Sequence, residues 1–146
     1  MVTRRCSVPE GTALFFPILN IMAANVGVDV PMTVPELRAL LVPINDGAIN
    51  LLVEVDGIPI RGVEVFRFTS VVFSYTLSQN NVIQALGDLI TGTPGTYFPV
   101  VDEGFYVMLK PLPVGEHTLT IHGEFPNFDF VLDVTYHLTV VPLPLP

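Results

Sequence analysis

The residues of this chain whose types and spacing could do chemistry lie near its C-terminal end. If Phe130 to Val141 and His117 to Phe125 are the two arms of a hairpin closed by a Pro126–Asp129 loop, facing residues sum to 255. His122 then meets Asp133, Thr120 meets Thr135, and His137 falls on the same face. A histidine beside a carboxylate is the geometry of a general base with its orienting partner. His122, Asp133 and His137 are therefore the candidate ligand-binding residues. No nucleophile motif accompanies them, so no catalytic residue is assigned. The same pairs also serve as ordinary exposed cross-strand contacts, each worth a few tenths to about 1 kcal/mol.

Other chemistry finds less support. His117 and His122 differ by an odd number and point to opposite faces of a strand, so the three histidines do not converge on zinc, and no metal or cofactor is expected. Asp102-Glu103 supplies two adjacent carboxylates, far short of the oxygen shell calcium requires, and reads as a solvated turn. Gly92-Thr93-Pro94-Gly95 has no Lys-Ser/Thr sequel and is not a phosphate loop. Cys6 stands alone, which excludes an intrachain disulfide; only Arg4 and Arg5 nearby would activate its thiol.

The elements that must position these residues are strands. From Phe130 the even positions run Phe, Leu, Val, Tyr, Leu, Val and the odd ones are mostly polar, which is a half-buried strand. Upstream, Thr12 to Leu19 reads as a buried strand with Pro17 at an edge or bulge, and Asn20 to Met32 as a loop. Thr33 caps a short helix through Leu41 that Pro43 stops, a connection and not a core element. Asn50 to Val55 is a strand, and Asp56-Gly57 turns it into Ile58-Pro59-Ile60. Val63 to Phe68, Val71 to Leu77 and Phe105 to Leu109 follow as strands. Ser78 to Val101 is the longest irregular stretch, containing a helix-capable piece at Val82 to Leu89.

About eight short strands with one or two connecting helices specify an all-β fold, an antiparallel sandwich of the Ig-like or jelly-roll-like kind, as a single domain over residues 1–146. The expected core is Leu14, Phe16, Val53, Val55, Phe73, Tyr75, Val107, Leu109, Leu119, Ile121, Leu132, Val134, Tyr136 and Leu138. Leu52, Val72, Tyr106, Met108, Val131 and Val141 are expected outside it as a contiguous apolar patch.

Half of the 146 residues are hydrophobic and only 14% are charged, with six basic against fourteen acidic residues and a net charge of -8. No basic run extends beyond Arg4-Arg5, so nucleic acid is not an expected partner. Gly11 to Val28 is uncharged, but Pro17, Asn20 and Asn25 interrupt it, and it reads as a strand and loop instead of a cleaved signal or membrane span. With so few charges to separate apolar surface, self-association is expected, a symmetric homodimer being its simplest form.

Two blocks, Arg5-Cys6-Ser7-Val8-Pro9-Glu10-Gly11-Thr12-Ala13-Leu14-Phe15-Phe16-Pro17 and the Gly115-Glu116-His117-Thr118 hairpin start through Tyr136, carry a likeness. Together they resemble a group of uncharacterised bacterial secreted proteins. That resemblance implies export, to the periplasm or beyond, and no particular activity. The reading of function is a non-enzymatic binding or self-assembly module. Its alternative is a small hydrolase or ligand-pocket protein with the 78–101 stretch as a lid over His122 and Asp133.

Overall fold

A computed structural model describes residues 1–26, 29–85 and 92–143. Its strands are β1 (Val2–Pro9), β2 (Leu14–Ala24), β3 (Ile49–Val55), β4 (Ile58–Pro59), β5 (Arg67–Thr69), β6 (Phe73–Leu77), β7 (Gly95–Leu109), β8 (Gly115–Phe125) and β9 (Phe130–Val141). Its helices are α1 (Val34–Asp46) and α2 (Val82–Ala85). One sheet has the order β1-β9-β8-β3-β4; the other has the order β2-β7-β5, with β6 paired to β7. The fold is an all-β sandwich.

The residues cluster into two compact units: Met1–Asn20, Ile44–Phe68 and Gly104–Pro146 form the first, Ile21–Pro43 and Thr69–Glu103 the second. In the first, Ile18 and Leu19 of β2 and Phe105 and Val107 of β7 pack against Val53, Leu119, Ile121, Phe125, Val134 and Leu138 of the facing sheet. Of the expected core, Val53, Val107, Leu119, Ile121, Val134 and Leu138 are sealed. Leu14, Phe16, Val55, Leu109, Leu132 and Tyr136 pack half-buried around them. Ile18, Leu19, Phe105 and Phe125, which the expected core did not name, are sealed with them.

The hairpin forms in the anticipated register, from Gly115 opposite Val140 to Phe125 opposite Phe130. A 3-10 turn over Pro126–Phe128 closes it, ending on Asp129 at φ 50, a left-handed position that aspartate tolerates. Asp56 and Gly57 lie at φ 54 and 75, the two left-handed residues of a tight hairpin turn between β3 and β4. β1 lies parallel to β9, pairing Val2 with Val134 through Pro9 with Val141.

Several expectations are corrected. β2 continues to Ala24 through the first part of the supposed loop. Beyond it the Asn25 side chain donates to Met32 O (2.9 Å) and accepts from Met32 N–H (2.8 Å). α1 passes through Pro43 to Asp46. Proline has a helical φ of its own, but it forfeits the bond to the preceding turn and its ring crowds the carbonyl four residues back, a cost that this helix carries at Pro43. Thr33 N–H and hydroxyl both donate to Glu36 Oε2 at 2.7 Å, one half of a capping box. Nor is α1 a mere connection: Leu37 and Leu41 are fully buried with Val101 as the core of the second unit, with Ile21, Ala23, Met32 and Val34 around them.

Val63–Val65 is a 3-10 turn that begins after Gly62 at φ 71, and only Arg67–Thr69 of that stretch is strand. The next strand starts at Phe73, not Val71. Of the supposed irregular stretch, Gly95 to Val101 belongs to β7 and pairs with β6; Thr76 and Thr96 hydroxyls meet at 2.9 Å and Tyr75 packs on Tyr97. The helix-capable piece is helical over Val82–Ala85, its remaining residues lying outside those described. No described helix is long and apolar enough to cross a membrane.

Candidate functional site

Strand register alone decides what the outer face of the β1-β9-β8-β3-β4 sheet brings together. His122 stands opposite Asp133, one row along Thr120, Thr135 and Thr3 lie side by side, and one row further Thr118, His137 and Arg5 do. The polar row exists as the alternation required. Its members form no common site, however, because Asp133 and His137 are four strand residues apart, about 13 Å, with the threonine row between them.

The hydrogen bonds depart from the simple pairing. His122 Nε2 lies 3.1 Å from Glu124 Oε1, two residues along its own strand, and the Asn50 amide donates to the same oxygen at 2.9 Å. The Asn50 amide first and the His122 ring second hold the Glu124 carboxyl below its ordinary value. Asp133 Oδ2 is 3.8 Å from the Met1 amine. It also lines an open groove of about 370 Å³ with Val2, Arg4, Phe130, Leu132 and Tyr136.

His117, on the inward face of β8, makes the tighter constellation. Its Nδ1 is 2.8 Å from Asp56 Oδ2 and its Nε2 is 2.9 Å from Pro113 O, while Asp56 Oδ1 accepts the Thr118 N–H at 2.8 Å. The Asp56 carboxylate, then the Pro113 carbonyl, push the His117 ring up from its ordinary value. The His117 bond, then the Thr118 N–H, hold Asp56 down. Sequence reading used His117 only to exclude zinc. The 61 residues between Asp56 and His117 hide the pair, although Asp56 was legible as a turn residue.

Asp102 and Glu103 are not a solvated turn. Both lie within β7, 9% and 5% exposed, and the backbone there is held by Ser70, whose N–H donates to Asp102 O and whose hydroxyl accepts from Asp102 N–H, both at 2.9 Å. Among the described residues no group of three His, Cys, Asp or Glu side chains is placed to hold a metal ion. Cys6 is exposed on the edge strand β1.

The expected apolar patch does not assemble as one surface. Leu52 and Val131 pair with His122 and Glu124 on the outer face of the β1-β9-β8-β3-β4 sheet, whereas Tyr106 and Met108 belong to β7 of the other. On that second sheet a different apolar group forms. Phe15, 63% exposed, stacks on Tyr106 with ring centroids 5.5 Å apart and planes 7° apart, and Met108 beside them is 70% exposed. Phe68 on β5, which is held to β7 by the Tyr106 N–H donating to Phe66 O, is 60% exposed. Phe15 was hidden by its position in a run of apolar residues; strand alternation across Leu14, Phe15 and Phe16 was the signal that it faces outward.

No family model matches the chain, and neither a curated protein nor a solved structure shows significant similarity to it.

Proposed function

We propose that this chain is a non-enzymatic binding or self-assembly module that works through the outer face of the β2-β7 pair. The observation that carries the reading is the exposed Phe15 stacked on the half-buried Tyr106 with exposed Met108 on the same strand, aromatic and methionine side chains of the kind enriched at interfaces. A chain with 14% charged residues has few charges to break up such a surface. Two copies using the same patch about a twofold axis would each cover the other's. Light scattering at micromolar concentration is expected to give the mass of two chains or a multiple. Met108→Lys should shift that mass towards one chain with the circular dichroism spectrum unchanged, whereas Val131→Lys, on the other sheet, should not. A single-chain mass at high concentration refutes self-association by this face.

The alternative, a small hydrolase or pocket protein, is favoured by the open groove beside Asp133. It requires that a bound small molecule be lost on Asp133→Asn while the oligomeric mass stays as it was.

A further inference from the structure

The His117 constellation has a property that its distances alone define. A neutral imidazole carries one N–H and one lone pair, yet both ring nitrogens of His117 face oxygen acceptors: the Asp56 carboxylate at 2.8 Å and the Pro113 carbonyl at 2.9 Å. Only the imidazolium satisfies both. The two acceptors belong to separate pieces of backbone, Asp56 to the turn between β3 and β4 and Pro113 to the connector between β7 and β8. His117 itself sits at the start of β8, its side chain 12% exposed. One ring thus ties together three segments.

We propose that His117 is a proton-operated latch, closed when the ring bridges Asp56 and Pro113 as an imidazolium and opened on the connector side when the ring loses its proton. Loss of that proton leaves one N–H. The bond to the Asp56 carboxylate is charge-assisted and the stronger of the two, so Nδ1 keeps the hydrogen. The Nε2 lone pair then faces the Pro113 carbonyl oxygen, and this repulsive contact frees the 110–114 connector. The charged group facing the ring is Asp56 from the turn; Glu116, next to it in the strand and turned to the other face, adds a weaker attraction. The connector presents a carbonyl, and Leu138, opposite on β9, is apolar.

Both carboxylates favour the charged ring, which fixes the direction of the pH effect. A ring whose folded value is raised contributes stability that is fully present below the ordinary histidine value of 6.5 and is lost as the pH rises through the folded value. Asp56, whose value is lowered, contributes above its ordinary 3.8, and that part is lost as the pH falls through its folded value. The latch is closed between these limits and opens on the alkaline side.

The test is a histidine-ring NMR titration of the full chain, followed together with the backbone amides of Gly57 and Val114. His117 is expected to titrate above the ordinary histidine value. Val114 should shift with the same midpoint and exchange its amide hydrogen faster above it, after correction for the intrinsic pH dependence of exchange, whereas Gly57 moves less. Asp56→Asn, which keeps a residue tolerant of left-handed backbone, should lower the His117 midpoint. His117→Gln should remove the pH dependence of Val114. His117 titrating at or below the ordinary value overturns the latch. So does a Val114 amide indifferent to the titration, or an Asp56→Asn midpoint that does not move.

Discussion

Gly104 offers the sharpest test of how β2 and β7 are held. A Cβ built there would lie 2.4 Å from Leu19 O, 2.5 Å from Asn20 Cβ and 2.6 Å from Asn20 Cα, against the 3.4 Å at which ordinary contact begins. Two of the three obstacles are backbone atoms of β2, and backbone cannot rotate away. Relief therefore needs β2 and β7 to part by about 1 Å at this point. A ladder bond of about 2.9 Å would stretch to about 3.9 Å, beyond hydrogen-bonding distance. Overpacking of this kind costs about 1–3 kcal/mol, and one or two weakened ladder bonds add about 1 kcal/mol each. Gly104→Ala should therefore lose about 2–5 kcal/mol in urea unfolding. Gly123→Ala is the comparison: its Cβ would meet Leu19 Cγ at 2.8 Å, Leu19 Cδ1 at 3.0 Å and Leu51 Cδ2 at 3.2 Å, all side-chain atoms that can turn aside. It should cost about 1–2 kcal/mol. A Gly104→Ala loss below about 1 kcal/mol, or a larger loss at Gly123 than at Gly104, would refute the close approach of the two backbones.

Leu119 and Val134 are both sealed in the sandwich core, and truncation of either to alanine should cost about 2–4 kcal/mol by the same unfolding assay; a loss under about 1 kcal/mol would mean that the hairpin face is not buried. His122→Asn removes a contact with Glu124 on a half-exposed polar face, and differential scanning calorimetry should find Tm changed by no more than about 2 °C. A much larger fall would show that the His122–Glu124–Asn50 cluster holds β3 to β8.

Local signals specify those parts of the fold whose partners are close along the chain. Alternation from His117 to Val141 determines the β8-β9 register, because shifting by one residue would bury Asp133 and His122 and expose Leu119 and Val134. Asp56-Gly57 determines the β3-β4 turn, because two successive left-handed residues favour these types. Thr33 and Glu36 mark the start of α1 for a similarly local reason. The candidate row of His122 and Asp133 follows from the same alternation, since opposite residues in a known register must share a face.

The tertiary structure alone decided the rest. Tyr97 to Val101 carries strand-forming residues, but Pro99 and the acidic Asp102-Glu103 that follows read equally as a loop; pairing with β6 makes it strand. Leu37 and Leu41 lie on one side of a short helix in either case, and only the presence of Val101 makes that side a core. Phe15 and Phe16 are alike in type, and only the position of the facing sheet puts Phe16 inside and leaves Phe15 stacked on Tyr106 in solvent. Asp56 reaches His117 across 61 residues, and β1 finds β9 across almost the whole chain. A backbone edge or a carboxylate accepts any partner of suitable geometry, so nothing in the local sequence distinguishes the partner it meets. That choice is made when the two sheets close on their common core.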